Sequence, residues 1–321
     1  QEILYMSLVS IIIPCYNEGK YLPSLFESLD RLNRGSLQFE VIVVDNNSSD
    51  NSVSIAKNNN ATVISSPNGT IAQLRNIGAK YGSGILFSFL DADCCPLPDW
   101  LLNAFIYMDY SNVGLFGSIP QCPDEGTWVE KAWTCSVPQG PKEVGFICSA
   151  NMFIKRKVFE AVGGFNTELT TGEDYDICQR VLQAGYRIIQ DDSISSVHLR
   201  YPKTLMQRFK KEVWYGEQMF EILRLTPFYR PFWASIIYGV SFLSLIISLL
   251  LNALTIALIF FVFFMVLPLA SSCEKLRKGG LKKYFFKLYV LFHVYLFGRF
   301  VSVLKFLVRR VFSFLTLKLR G

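Results

Sequence analysis

Two carboxylates one residue apart, Asp91-Ala92-Asp93, close an apolar run at residues 85–90. Oxygen ligands of this kind hold magnesium or manganese and leave room for phosphate oxygens. Such an ion would offset the charge that develops on a departing diphosphate. Of the two, Asp93 is the expected direct ligand and Asp91 the group facing a sugar or ribose. The other reading is a pair of loop aspartates capping a turn. Glu173-Asp174 follows Gly172 at the start of a helical run. Acids there complement the helix macrodipole, or one of them takes the proton from an attacking hydroxyl as a general base. His198, one of two histidines, reads either as structural, as completing a metal shell, or as a direct contact to a diphosphate.

These groups need a scaffold that brings distant residues together. Residues 8–14 (LVSIIIP), 39–44 (FEVIVV) and 85–90 (ILFSFL) are apolar, largely continuous runs of strand length, as expected for strands buried on both faces. A shorter strand is expected at 62–65. Between them, 18–32 places Leu22, Leu25, Phe26 and Leu29 at helical spacing. Residues 52–57 form a helix capped from Asn47-Ser48-Ser49-Asp50, and 73–81 form another. This alternation predicts a doubly wound α/β sheet, mostly parallel. Ligands bind such sheets beyond the carboxyl ends of the strands. Those ends carry Cys15-Tyr16-Asn17-Glu18, Asp45-Asn46-Asn47 and Asp91-Ala92-Asp93, which are expected to converge on one crevice. Further along, 118–147 reads as an irregular acceptor-side loop. Then come a strand at 149–154, a short helix at 157–161 that stops at Gly163-Gly164, a helix at 174–184 and a strand at 187–190.

The rest of the chain has a different solvent. Hydrophobic residues make up 51% of the 321, and the excess over the globular norm is concentrated after residue 232. The runs 232–251 and 253–269 each approach the roughly 20 residues that span hydrocarbon, and Asn252 between them predicts a helical hairpin. The net charge is +6, with the surplus flanking these runs at Arg224, Arg230, Lys275, Arg277, Lys278, Lys282, Lys283, Arg309, Arg310, Lys318 and Arg320. That placement fits the cytoplasmic flanks of membrane segments and argues against nucleic acid, which has no separate fold here to receive it. Residues 204–223 read as an amphipathic helix at the membrane interface, with a surface helix docked on the core as the other reading. Across 284–307, Lys287, Arg299 and Lys305 share with Arg309 and Arg310 an arc of roughly 140°. An interfacial helix is expected there, with a third span as the alternative. The eight cysteines contain no CxxC pair. With no secretory stretch ahead of the first strand, reduced cytosolic thiols are expected. Cys122, Cys135 and Cys148 are evenly spaced but lack the paired ligands of a zinc site.

Four stretches carry a family resemblance: VSIIIPCYNEGKYLPSLFESL, FEVIVVDNNSSDNS, LRNIGAKYGSGILFSFLDADCCPLPDWL and GGFNTELTTGEDYDICQRVLQAGYRI. In this order, over residues 8–200, they resemble glycosyltransferase family 2, the inverting enzymes with a GT-A fold. The resemblance implies that Pro14, Tyr16, Asn17 and Glu18 line a nucleotide pocket. It implies that Asp45 binds the base with Asn47 nearby, and that Arg75 approaches the nucleotide. Asp91 and Asp93 would form the metal motif, with Ala92 between them against the nucleotide, and Asp174 would be the base. Gly164 and Phe165 would lie near the acceptor. Processive synthases of the family carry Gln-x-x-Arg-Trp on an interfacial helix. Here Gln207-Arg208-Phe209-Lys210-Lys211 departs from that motif, although Trp214 follows and is assigned to the acceptor side. Transfer of a single sugar is therefore expected rather than polymer extrusion.

The expected architecture is an N-terminal GT-A domain (1–203), an interfacial helix and linker (204–231), a transmembrane hairpin (232–270) and a basic, interfacial helical tail (271–321). The expected activity is inverting transfer from a nucleotide-diphosphate sugar, with UDP favoured, to a hydroxyl of a glycan or lipid-linked saccharide. It would use Mn2+ or Mg2+ at the cytoplasmic membrane face. The competing readings are a polyprenyl-phosphate glycosyltransferase, whose anionic acceptor needs no base, and a non-catalytic membrane-attached binding protein.

Overall fold

The computed structural model describes residues 8–134, 140–169, 172–217, 219–225 and 227–318. Cys135 and Arg320 lie outside the described residues, as do the side chains of Arg224 and Lys318. The chain divides into two compact units, Gln1–Pro123 with Pro138–Arg200, and Asp124–Val137 with Tyr201–Gly321.

The first unit opens with β1 (Leu8–Cys15), α1 (Leu22–Asp30), β2 (Gln38–Asp45), α2 (Ser52–Asn58), β3 (Thr62–Ser65), α3 (Ile71–Tyr81) and β4 (Leu86–Leu90). β5 (Cys94–Pro96), α4 (Trp100–Phe105) and β6 (Val113–Gly117) follow. After α5 (Trp128–Thr134), which belongs to the second unit, come β7 (Lys142–Glu143), β8 (Asn151–Lys155), α6 (Arg156–Ala161), α7 (Glu173–Gln183), β9 (Arg187–Gln190) and β10 (Ser196–His198). The main sheet has the order β3-β2-β1-β4-β8-β6-β9-β7, and β5 pairs with β10 in a separate ribbon. β1 to β4 pair in parallel, while β8 enters antiparallel between β4 and β6.

The apolar strands are where the hydrophobic pattern requires them. Val9, Ile11 and Ile13 of β1 face Leu22, Leu25, Phe26 and Leu29 of α1 in one core. Ile12 points to the opposite face with Phe87, Phe89 and Ile154. Apolar groups are thus needed on both faces of β1, which is why its run does not alternate with polar residues.

Several elements differ from expectation. β6 contains Gly114 and Gly117, which conceal a strand in the sequence. A Cβ at Gly117 would lie 2.3 Å from the Asn151 carbonyl oxygen, and its φ of +155° suits glycine. Residues 118–147 are not irregular throughout, since they contain α5 and β7. The strand expected at 149–154 runs instead from Asn151 to Lys155, paired on both edges.

The second unit continues with α8 (Leu205–Gly216), α9 (Met219–Leu225), α10 (Arg230–Leu250), α11 (Leu254–Arg277) and α12 (Phe285–Lys318). The helix expected over 204–223 is thus broken near Glu217. Thr204 and Gln207 form a reciprocal capping box at the start of α8, so Gln207 satisfies backbone N–H groups there. α10 and α11 make the hairpin, turning at Asn252 in the left-handed region (φ +55°). Among the described residues, three helices are long and apolar enough to cross a membrane: Arg230–Leu250, Leu254–Arg277 and Lys282–Arg310. Much of their apolar surface is exposed, as at Leu250, Leu254, Phe263 and Phe286, and exposed apolar area of this extent marks a membrane or partner surface. The third of these helices packs along α10 and α11. Tyr238 hydrogen-bonds His293 at 2.9 Å, and the Tyr289 hydroxyl donates to Met265 Sδ.

Candidate active site

The carboxyl ends of β1 and β2 are laced together. Cys15 and Asp45 sit side by side in the parallel register, and the Asn46 N–H donates to the Cys15 carbonyl at 2.8 Å. Asn17 and Asn47 both adopt positive φ, +55° and +63°, a region that asparagine tolerates better than most residues. The Asn17 N–H donates to Ser48 Oγ at 2.9 Å, and Asn17 Oδ1 accepts from the Ser49 N–H at 2.8 Å. The Glu18 N–H donates to Ser52 Oγ at 2.8 Å. Asp45 is buried. Its Oδ2 accepts from the Ser48 N–H at 3.1 Å, while Oδ1 has no hydrogen-bond partner among the described residues. Pro14 is buried and Tyr16 exposed on the same rim.

Behind the end of β4 lies a polar knot. Asn151 of β8 is fully buried. It accepts from Trp100 Nε1 at 2.7 Å and donates to Ser118 Oγ and the Ile194 carbonyl. Such a satisfied network holds the backbone under Asp91-Ala92-Asp93 in one place.

Two acidic clusters flank that turn. In the first, Arg75 of α3 is 2% exposed and divides its guanidinium between two acids. Nη1 donates to Glu173 Oε1 at 2.6 Å and Nη2 to Asp91 Oδ1 at 2.9 Å. Burial alone would lower the Arg75 pKa, but Asp91, Glu173 and Asp174 together raise it and keep the cation fixed. Asp174 follows Glu173 in the first turn of α7, and its Oδ1 accepts from the Tyr175 N–H. Desolvation and the neighbouring Glu173 push its carboxyl up to about 7, against the opposing pull of Arg75. Glu173 is occupied by Arg75, and Asp174 is left as the group whose proton affinity lies near neutrality.

The second cluster surrounds Asp93, which is 3% exposed. The ribbon of β5 and β10 sets His198 opposite Cys94. His198 Nε2 lies 3.7 Å from Asp93 Oδ1, while its Nδ1 accepts from the Arg200 N–H at 3.1 Å. Asp93, Cys94 and His198 bring their ligand atoms within 4.8 Å of one another, a spacing able to hold a metal ion. Burial, reinforced by Asp91 and Asp93, drives the Cys94 thiol well above its ordinary range. Asp93 offers an oxygen donor and His198 a nitrogen donor, which a hard or borderline ion takes in preference to sulfur. Arg200 completes the cluster. Its Nε donates to Asp93 Oδ2 at 2.9 Å and its Nη2 to Glu18 Oε1 at 2.7 Å. Burial raises the Glu18 pKa, with Arg200 pulling the other way.

The structure thus brings Glu18, Asp45, Arg75, Asp91, Ala92, Asp93, Glu173, Asp174 and His198 to one end of the sheet. Phe165, expected beside an acceptor, is 2% exposed. It packs on Phe89 at 4.8 Å and beneath Arg75 at 5.7 Å, so its ring serves as a wall behind the arginine. Gly164 (φ +70°) makes room for the Asn76 carboxamide, which clamps the Phe165 backbone from both sides. Trp214 belongs to the second unit, where it is exposed and lies against Tyr215 at 5.0 Å. Arg200 is the residue that reading the sequence missed. Its only signal is its place two residues after His198, together with the need of two buried acids for a counter-charge.

Residues 10–163 match glycosyl transferase family 2. The chain is 28% identical over 209 residues to glycosyltransferase AglE of Haloferax volcanii, covering 61% of this chain and 68% of that protein. An uncharacterized glycosyltransferase of Haemophilus influenzae is 32% identical over 191 residues, 55% of this chain and 62% of its own length. At 22% identity over 274 residues, 78% of this chain and 84% of the relative, the chain also resembles a Methanococcus voltae enzyme. That enzyme is named as a dolichyl N-acetyl-alpha-D-glucosaminyl phosphate 3-beta-D-2,3-diacetamido-2,3-dideoxy-beta-D-glucuronosyltransferase. Among solved structures, the mannosyltransferase PcManGT of Pyrobaculum calidifontis, in complex with GDP-Man and Mn2+, shares the fold. Its TM-score is 0.61 at 17% identity, over 92% of this chain and 86% of that one. Residues 10–163 thus form a glycosyl transferase family 2 domain on a GT-A-like fold, and the protein is a glycosyltransferase.

Proposed function

We propose that this enzyme transfers one sugar, with inversion, from a nucleotide-diphosphate sugar to a hydroxyl of a lipid-linked saccharide at the cytoplasmic face of a membrane. The observation that carries the reading is Asp174, a carboxyl held near neutral pKa beside the Asp91–Arg75–Glu173 chain. A base for a hydroxyl works best with a pKa near the working pH. An acceptor that is already a phosphate anion would need no such group, which disfavours the polyprenyl-phosphate reading.

The residues then take the following roles. Asp45 binds the base: its buried Oδ1, without a partner among the described residues, is an acceptor that the ring N–H of uracil or of guanine would satisfy. Tyr16, Asn17, Glu18 and Asn47 line the same rim, with Pro14 and Ala92 beneath. Asp93 and His198 would hold Mn2+ or Mg2+, and the nitrogen donor beside the carboxylate suits Mn2+ better than the harder Mg2+. When bound, the ion supplies positive charge against the departing diphosphate. Asp174 takes the proton of the acceptor hydroxyl as that oxygen bonds to the anomeric carbon. The bond from that carbon to the diphosphate oxygen breaks on the opposite face, and its electron pair leaves with the nucleotide diphosphate. Arg75 and Glu173 position Asp174 and do not themselves exchange protons.

For the chain as a whole, we propose a catalytic domain over 1–203, apart from the 124–137 segment that groups with the second unit, an interfacial helix and linker over 204–231 and a membrane hairpin over 232–270, followed by a basic, interfacial helical tail over 271–321. The lysines and arginines flanking the apolar helices support a cytoplasmic site, and the dolichyl-phosphate-linked acceptor in the Methanococcus voltae relative's name supports a lipid-linked sugar. The test is donor turnover by the protein in mild detergent with Mn2+. A panel of nucleotide sugars is screened with and without membrane-lipid extract, reading released nucleotide diphosphate. Metal-dependent release from one donor, increased by extract, is the expected result. Product formed on bare polyprenyl phosphate without need of Asp174 would replace this reading with the phosphate-acceptor one.

A further inference from the structure

Glu18 and Asp93 come from loops after different strands, yet a single guanidinium joins them. Arg200 reaches Asp93 Oδ2 through Nε and Glu18 Oε1 through Nη2, at 2.9 and 2.7 Å. The two carboxylate side chains are 4% and 10% exposed, whereas that of Arg200 is 53% exposed. The acids are therefore fixed in the wall, and the cation rests on them from the solvent side, over the ring of Tyr21 at 5.4 Å. The other oxygen of the same aspartate, Oδ1, faces His198. A divalent ion held there would stand within a few ångströms of the guanidinium. At that range the like charges repel appreciably at the effective dielectric of a protein surface. The two cations therefore compete for one carboxylate.

We propose that Arg200 is an exchangeable counter-cation. It neutralises Asp93 and Glu18 while the site is without donor, and moves onto the donor's diphosphate when the metal–nucleotide complex takes Asp93. This rests on the proposed function above, because it takes Asp93 and His198 as the metal-holding pair. Arginine suits the exchange, since its planar fork pairs equally well with a carboxylate or with phosphate oxygens. The exchange gives the site a sequence of occupation. Bare metal is resisted by Arg200, whereas metal that arrives with a diphosphate brings the guanidinium a new anionic partner. Binding of metal and nucleotide is then coupled through one side chain.

The experiment measures Mn2+ affinity by the loss of the free-ion electron paramagnetic resonance signal, on the full chain, with and without UDP. Wild type is compared with Arg200→Gln and Arg200→Lys. Without nucleotide, Arg200→Gln is expected to bind Mn2+ about tenfold more tightly than wild type, because the competing charge is gone. With UDP present, the order reverses, and the variant holds the Mn2+–UDP pair about tenfold more weakly. Arg200→Lys keeps the charge and reports that the site is intact. Its nucleotide-free Mn2+ affinity stays within about twofold of wild type, and its UDP affinity falls between the other two. Parallel loss of both affinities in Arg200→Gln, or no change in either, would make the contact a plain structural salt bridge and overturn the exchange. If wild type itself takes up no Mn2+ with UDP and still releases nucleotide diphosphate in chelator, the metal assignment fails together with the exchange. If wild type is metal-dependent and the reversal is absent, the exchange alone fails.

Discussion

Each unit of this protein buries arginine against carboxylate, and the two networks have opposite surplus charge. In the first, one guanidinium, Arg75, serves Asp91 and Glu173 with Asp174 adjoining, so acids outnumber the cation. In the second, one fully buried carboxylate, Glu212 of α8, pairs with both Arg208 and Arg299, so cations outnumber the acid. Surplus negative charge in a desolvated place raises a carboxyl's pKa and leaves a group able to exchange protons. Surplus positive charge on arginine cannot be relieved by deprotonation, so it must be met by something else. Here that is aromatic rings: Trp133 lies 3.5 Å from the Arg208 guanidinium carbon, and Tyr215 and Tyr295 lie 5.5 and 5.3 Å from that of Arg299. The first network has the composition of a reactive site and the second that of a clamp between helices.

The largest expected effect tests the first half of that contrast. Asp174→Asn keeps the shape and removes the base, so kcat should fall by about 10²–10⁴-fold while donor affinity, read by UDP titration, stays within about twofold of wild type. Full turnover in the variant would sink the base assignment and with it the distinction between the networks. The next effect tests the second half. Glu212→Ala leaves Arg208 and Arg299 without their shared carboxylate in a buried place, and should cost about 3–5 kcal/mol of stability, read as a lowered thermal midpoint in detergent. A change within the error of the midpoint would show that this network is not a clamp.

A pH series sharpens the comparison further. With Asp174 at about 7, kcat/KM should rise with pH through neutrality and stand about tenfold below its plateau one unit lower. The sign for stability is the reverse. A carboxyl whose folded pKa lies above its unfolded value binds more protons when folded, so stability falls as pH rises from the ordinary aspartate range towards 7. Asp174→Asn should flatten that slope. A pH–rate profile level from pH 6 to 8 would remove Asp174 from the proton transfer.

How much of this was legible in the sequence follows from what each residue answers to. β1, β2 and β4 were readable because strands buried on both faces must be apolar throughout, and their ends pointed to Glu18, Asp45, Asp91 and Asp93. β6 was hidden because Gly117 answers to the close approach of the β8 backbone and Gly114 to the Tyr186 and Val158 side chains, tertiary demands without local signature. α5 was hidden for a similar reason: its partners, Leu205, Tyr284 and Leu291, come from far along the chain. Phe165, placed near the acceptor by the resemblance, is enclosed by Phe89 and Phe159 from other elements, contacts that no local pattern announces. Arg200 was invisible because a lone arginine after a strand carries no pattern, and the acids it joins lie 182 and 107 residues away. Arg208 was noted as part of a departure from a family motif. The structure gives that departure a use, since Arg208 is committed to Glu212 and Trp133 inside its own unit.

The smallest effect concerns the rings that face the surplus positive charge. Trp133 is bracketed by Arg208 and by Lys275, whose ammonium lies 4.7 Å from the ring and donates to the Trp133 carbonyl. It also stacks on Tyr295 at 5.8 Å and tilts against Phe292 at 5.5 Å. Trp133→Phe keeps an aromatic face with a weaker quadrupole, and should lower stability by about 0.5–2 kcal/mol. Trp133→Leu keeps an apolar group but removes the face, and should lower it by more. The difference between the two isolates the attraction between cation and ring from simple packing. If leucine and phenylalanine give the same thermal midpoint, the rings fill space and do not offset charge. The excess of arginine over glutamate would then be carried by Glu212 alone, and the Glu212→Ala effect should lie at the top of its expected range. If phenylalanine is clearly the milder change, the second network is balanced by aromatic faces where the first is balanced by a proton. On the proposed mechanism, that difference in what meets the surplus charge separates a network able to exchange protons from one that only holds helices together.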